Sequence, residues 1–427
     1  MGQTMSEKIL SRAAGRPVSR GDFLWASVQT VSLMDSSNFR HWIRFFDSNG
    51  LKVWDPSRVV ITFDHLYRNL GDGVGNFPMI RSWARRQDIP VENVYDIGRH
   101  GLSHQIPAEH GYVLPGTVYA AADTQGPTLG AFNCFAVATL DAIPYIMATG
   151  DMWLRAPECI RIVLNGELPP GVLGKDIYFR LMQDLAGVAE GRVLEFDGPG
   201  VNTIPLDVRM AVANGAPHMG ALTMVFPHDA VLQAYLKGRV RQGYEPVQAD
   251  PDADYVETRE YDLGSFQPLV SGPDDPSRIQ PLDAVGSVGI AAAYIGSCSS
   301  GRMHDLRLAA DVLRGRKVHP GVRLVVTPIS SEVMAQATEE GLIATFVGAG
   351  ATVTTPGCGA CFYGNQSPLL LDDGEVCITG SVENWPGRMG SSTAKIYLAN
   401  AAVVAASAVA GRISAPAQRA GDTGGKA

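Results

Sequence analysis

The chain has 427 residues, 45% of them hydrophobic, and a net charge of −8. That length predicts two or three cored domains, and the acidic balance excludes a binder of nucleic-acid backbone. Six cysteines in so long a chain exclude a disulfide framework and fit reduced thiols in a cytoplasm, while no apolar run is long enough to cross a membrane.

In chain order, a helix is predicted over residues 6–14. A strand over 59–63 ends at Asp64-His65. A second over 94–97 leads into a loop carrying His100 and His104. A third over 117–122 ends at Asp123. A helical stretch over 77–86 lies between the first two. Strands alternating with helices predict a parallel sheet, and polar residues at the carboxyl ends of such strands line the usual ligand crevice. A second α/β region, about 157–261, has strands at 160–164 and 223–225 flanking a helix over 176–188. Residues 248–286 are rich in Asp, Pro and Ser and read as a linker with one or two short strands. The third region repeats the first layout. A strand over 291–296 runs into Cys298, followed by a helix over 303–313. A strand over 322–328 precedes a helix over 331–340. A strand over 351–355 ends at Cys358 and Cys361, and one over 376–380 ends at a loop with Arg388. An alanine-rich helix over 391–410 packs across the sheet. The expected domains are 1–158, 159–272 and 273–413, with a disordered tail over 414–427.

Cys298, Cys358 and Cys361 each sit where an apolar run breaks into small residues. Three thiolates on loops can bind an iron–sulfur cluster with one iron lacking a protein ligand, and such an iron acts as a Lewis acid on substrate oxygen. The bland readings are buried small side chains or a redox pair, and structural zinc would need a fourth ligand. Cys134, Cys159 and Cys377 lie inside apolar runs and read as core.

Gly296-Ser297-Cys298-Ser299-Ser300-Gly301-Arg302, Cys358-Gly359-Ala360-Cys361 and Pro386-Gly387-Arg388-Met389-Gly390 together resemble the aconitase superfamily. Glu7-Lys8-Ile9-Leu10-Ser11-Arg12-Ala13 and Lys52-Val53-Trp54-Asp55-Pro56 resemble its isopropylmalate dehydratase large-subunit branch, and the likeness spans about residues 6 to 412. The resemblance implies an α/β fold of three domains with mostly parallel sheets around a central cleft, lacking the swivelling fourth domain. It implies a [4Fe–4S] cluster on Cys298, Cys358 and Cys361, and a hydro-lyase that removes and re-adds water on a small hydroxy acid. Such chemistry needs an acid for the departing oxygen and a base for a carbon-bound proton. By the same resemblance, Asp64 and His65 form a cluster-side acid pair, His104 lies near the leaving oxygen, Asp123 is the aspartate of the family's Asp-Ser-His and a catalytic candidate, Asn214 is cluster-side, and Arg388 grips a substrate carboxylate.

The departures fall around the substrate. The family's Asp-Ser-His reads Asp123-Thr124-Gln125, and its Cys-Thr-Asn reads Cys298-Ser299-Ser300. Its glutamate four residues past the asparagine is His218, and its Asn-Arg-Asn reads Val382-Glu383-Asn384. Gln125, Ser300, Glu383 and Asn384 therefore become substrate-side candidates, and His218 a catalytic one. Glu383 would repel a carboxylate in a dry site. The expected substrate is accordingly not isopropylmalate but an acid with fewer carboxylates, or with a neutral or cationic group facing Glu383. A Glu383–His218 pair would alter the local acid–base roles. The missing domain is expected on a separate small subunit, in a heterodimer or heterotetramer, closing the cleft against water. No nucleic-acid or membrane partner is expected. The alternatives are a catalytically silent, cluster-bearing paralogue with a sensing or structural role, and a metal-assisted enzyme without a cluster.

Overall fold

The computed structural model describes residues 2–36, 38–65, 76–362 and 367–416. Helix α1 (Met5–Ala14) begins at a reciprocal cap, in which Thr4 Oγ1 accepts from the Glu7 amide and Glu7 accepts from the Thr4 amide. Strand β1 (Phe23–Ser27) then leads into β2 (Thr30–Met34), β3 (Val59–Thr62), β4 (Val94–Tyr95), β5 (Val118–Ala121) and β6 (Phe135–Ala138). The last five form a parallel sheet in the order β4-β3-β2-β5-β6. Helix α2 (Asn76–Arg86) connects β3 to β4 as expected. Central strand β2 went unread in the sequence. It is buried along almost its whole length, so it lacks the in–out alternation that marks a strand. Strand β7 (Asp151–Arg155) returns antiparallel to β1.

The second sheet is also parallel, in the order β10-β9-β8-β11. Its strands are β8 (Cys159–Asn165), β9 (Val193–Asp197), β10 (Thr223–Val225) and β11 (Glu257–Asp262). Helices α3 (Gly174–Leu185) and α4 (Leu206–Ala213) belong to this region. The stretch read as a linker supplies three strands rather than one or two. They are β11, β12 (Leu269–Ser271) and β13 (Ile279–Pro281), and β11 extends the second sheet while β12 and β13 edge the third. Their proline-rich surroundings disguised them, because edge strands tolerate proline where interior strands do not.

The third sheet has seven strands in the order β13-β12-β18-β17-β14-β15-β16. Its parallel part comprises β14 (Ala292–Ile295), β15 (Arg323–Val326), β16 (Thr352–Val353), β17 (Val376–Thr379) and β18 (Lys395–Leu398). Helix α5 (Met303–Leu313) buries Leu306, Ala309, Ala310 and Leu313, an i, i+3, i+4, i+7 stripe. Helix α6 (Ser331–Glu339) follows β15. The predicted helix over 391–410 is wrong in its first half. Ile396-Tyr397-Leu398 pairs with β17, as β-branched and aromatic side chains favour, and only α7 (Ala401–Ala410) is helical. Asn400 marks the change by accepting from the Val403 amide at the helix start. Among the described residues no helix is long and apolar enough to cross a membrane. Most of the tail expected to be disordered, 417–427, lies outside the described residues.

Candidate active site

Parallel strands send their carboxyl ends to one edge, so the loops after β14, β16 and β17 leave the third sheet together. They carry Cys298, then Cys358 and Cys361, then Glu383 and Arg388. All three cysteines are buried and none is in a disulfide. The thiols of Cys358 and Cys361 are hydrogen-bonded to each other, and Cys298 lies near enough to act on Cys358 electrostatically. The hydrogen bond from Cys358, together with Arg388 and Ser297, holds the Cys361 thiol well below its ordinary range. Arg388 Nη2 lies 3.9 Å from Cys361 Sγ.

The backbone is bent tightly to bring this about. Ser297, just before Cys298, has φ +66°, an uncommon conformation for a residue with a Cβ. Gly359 has φ +62°, and a Cβ there would come within 2.2 Å of Tyr294 Oη. Tyr294, on β14, donates to the Cys358 carbonyl at 2.9 Å and fixes the Cys-Gly-Ala-Cys turn to the sheet.

The first sheet supplies the titratable groups. The Cys358 amide donates to the Asp64 carbonyl at 3.0 Å, joining the two sets of loops. His65 Nδ1 lies 3.1 Å from Asp64 Oδ1. Burial opposes charge on His65, but Asp64, aided by Asp123 and Asp35, outweighs it and raises the imidazole to about 10. His104 Nδ1 lies 3.4 Å from Asp123 Oδ2, and Ser103 Oγ donates to the same oxygen at 2.9 Å. Burial again opposes charge on His104, and Asp123 with Cys298 raises it to about 9. Asp123 is correspondingly held well below the usual carboxylate range: burial resists, while His104 and His65 prevail. Both histidines are therefore cationic at neutral pH.

The substrate-side candidates divide. Glu383 Oε2 pairs with Arg388 Nη1 at 3.2 Å. His218 Nε2 lies 3.9 Å from Glu383 Oε1. That contact is not an ion pair, because burial and then the Lys175 charge push His218 down to about 4. Asn214 donates through Nδ2 to Thr128 Oγ1 at 2.8 Å, and Gln125 donates its backbone amide to Asp123 Oδ1. Asn384 donates through Nδ2 to the Ile396 carbonyl on β18 and leaves Oδ1 buried without a hydrogen-bond partner among the described residues. Ser300 is fully buried against Gly380, where a Cβ would meet its own at 2.5 Å.

Two groups the sequence did not signal complete the site. Asp35, at the end of β2, accepts the amides of Asp64 and His65 at 2.7 and 2.8 Å and sets their direction. It stands after a strand as Asp64 does, so recognition of β2 would have found it. Lys175 on α3 is buried and donates to Ser299 Oγ at 2.8 Å and to the Ser381 carbonyl at 2.6 Å. Burial lowers it to about 8, with Cys298 and Asp305 partly restoring the charge. Nothing in the helix sequence distinguishes it from a surface lysine.

Three buried thiols that act on one another electrostatically suit an iron–sulfur cluster with one iron left without a protein ligand, and the nitrogen donor beside them, His104, adjoins Cys298 and is paired with Asp123. Asn214 Oδ1, Ser300 Oγ and His218 Nδ1 are buried without a hydrogen-bond partner among the described residues, as expected of groups awaiting an occupant.

Comparison with known proteins agrees with this chemistry. The model of the aconitase family (aconitate hydratase) matches residues 76–288 and 283–411. This chain belongs to the aconitase family and is a hydro-lyase of that class. It is 41% identical to a 3-isopropylmalate dehydratase large subunit of Mycolicibacterium smegmatis over 97% of each chain. It is 37% identical to a 3-isopropylmalate dehydratase large subunit of Methanopyrus kandleri, over 97% of this chain and 99% of that one. It is also 37% identical to a probable methanogen homoaconitase large subunit of Methanothermobacter thermautotrophicus over 98% of each. Aconitase X of Thermococcus kodakaraensis overlays at a TM-score of 0.46 with 13% identity over 84% of each chain, too loosely to bear on the reading.

Proposed function

We propose that this chain is the large subunit of an iron–sulfur hydro-lyase acting in the cytoplasm on a small hydroxy acid other than isopropylmalate. The observation that carries the reading is the meeting of three buried thiols with two charged Asp–His pairs at the carboxyl ends of two parallel sheets. Cys298, Cys358 and Cys361 would hold a [4Fe–4S] cluster, whose open iron supplies Lewis acidity toward a hydroxyl leaving group. His104, cationic and oriented by Asp123, is suited to give its proton to the departing oxygen. Asp64–His65, braced by Asp35, forms the second charged pair on that side. Arg388, already paired with Glu383, would orient at most one substrate carboxylate, and Asn214 and Gln125 would be further substrate-side polar groups.

The substrate reading rests on Glu383. Its 3.2 Å pair with Arg388 already offsets the guanidinium charge, so a second carboxylate entering here meets a nearly neutral pair rather than an open cation. Neutral His218 beside Glu383 adds no positive charge. A substrate with fewer carboxylates, or with a neutral or cationic group on this side, is accommodated instead. The names of the relatives as large subunits support a separate small subunit that closes the cleft.

The test is anaerobic reconstitution with iron and sulfide, adding the candidate small subunit, followed by a panel of malate-type, monocarboxylic and amino-bearing hydroxy acids. Expected are visible absorbance lost in Cys298→Ser, and dehydration of a panel member in preference to isopropylmalate. Cluster uptake without turnover of any acid would favour the silent paralogue. A colourless, sulfide-free yet active protein would overturn the cluster.

A further inference from the structure

Among the described residues Lys175 is the buried lysine of the site. It sits in the first turn of α3, 1% exposed. Its Nζ donates to Ser299 Oγ, next to Cys298, and to the Ser381 carbonyl, two residues before Glu383. Ser299 Oγ passes the link on to the Gly380 carbonyl at 2.6 Å. The Nζ also lies 5.6 and 5.7 Å from the ring centroids of Tyr178 and Phe179. Among the described residues no carboxylate is within ion-pair distance of it. A buried ammonium with only neutral partners is costly unless negative charge lies close by. Cys298 is the largest of the groups that favour its charge, followed by the more distant Asp305 and Asp176 carboxylates and then Cys361.

We infer that Lys175 is a positioning residue which pins the Cys298 loop to the loop carrying Glu383, and whose ammonium balances the negative charge of a cluster held by the three thiolates. The inference rests on the cluster reading above and assigns to α3 a role in tuning and retaining the cluster. Removing the positive charge would favour the less negative, oxidised cluster, and so lower its midpoint potential. It would also loosen the hold on the cluster, because groups just outside the ligands orient them and set metal affinity.

The experiment compares wild type, Lys175→Met, Lys175→Gln and Lys175→Arg after anaerobic reconstitution. It reads the midpoint potential by an EPR-monitored titration, the rate of iron loss to a chelator, and the unfolding temperature of each apoprotein. Expected are a lower potential in Met and Gln, iron loss faster by about tenfold, and near-wild-type values in Arg. The apoproteins of Met and Gln should unfold no lower than wild type, since the uncompensated charge is gone. A wild-type potential and lability in Gln would overturn the charge role. Apoproteins of Met and Gln that unfold below wild type would reduce Lys175 to packing. A wild-type chain that takes up no cluster would instead overturn the site reading, and this inference with it.

Discussion

At the scale of single residues, Glu383 and Glu109 make different kinds of prediction. If Glu383 opposes substrate charge as proposed, Glu383→Arg should raise turnover of isopropylmalate, measured as kcat/KM against the preferred acid. An unchanged preference would remove Glu383 from the specificity argument. Glu109 is buried and accepts at Oε1 from Ser330 and Gln105. Burial raises it to about 7, against the partial relief of those bonds. A carboxyl raised in the folded state binds its proton more tightly there than when unfolded, so stability falls as pH rises from the ordinary carboxyl value of 4.5 through about 7. The expected fall is about 3 kcal/mol. Glu109→Gln should flatten that stretch of the melting-temperature profile, and an unchanged slope would assign it to other groups. Among the site residues, the thiols and Asp64-His65 were legible because they stand in short motifs just after strands, whereas the pairing of His104 with Asp123, 19 residues on, is a product of the fold. Lys175 was not legible, because its partners Ser299 and Ser381 lie 124 and 206 positions away.

At the scale of elements, the turn between β16 and β17 depends on a glycine and a tyrosine. Gly359→Ala places a methyl group against Tyr294 Oη in a left-handed conformation. It should cost at least about 2 kcal/mol and prevent stable cluster uptake, read from the iron-to-protein ratio. Normal loading in that variant would show that the turn can relax. Asn400 caps α7 and also donates to the Gly171 carbonyl and Asp176, so it links the last helix to the start of α3. Asn400→Ala should lower stability by roughly 1–2 kcal/mol, seen as a lower denaturant midpoint. The same asparagine shows why the final helix was misplaced. Alanine richness over 399–410 spread its signal backward over Ile396-Tyr397-Leu398, whose pairing with β17 is a tertiary fact. Strand β2 was missed for the opposite reason, since burial on both faces erases periodicity.

At the scale of the whole molecule, the site is a meeting place of three sheets' loops rather than a property of any one. Loops of the first sheet bring Asp64, His104 and Asp123, the second region brings Lys175, Asn214 and His218, and the third brings the thiols with Arg388 and Glu383. A cleft lined this way gains its catalytic geometry only when water is excluded. The large subunit loaded with cluster should therefore show little turnover alone, and at least about a hundredfold more with the small subunit present. Equal rates would mean that the chain is self-sufficient. The amino-acid sequence by itself marked out the three cysteines, Asp64-His65 and most of the alternation of strand and helix, because each is carried by a short local stretch of chain. The Glu383–Arg388 pair, the neutral His218, the Asp35 brace and the buried Lys175 were decided only by the folded molecule. Their charge states depend on burial and on partners remote in sequence, and neither exists until the sheets pack.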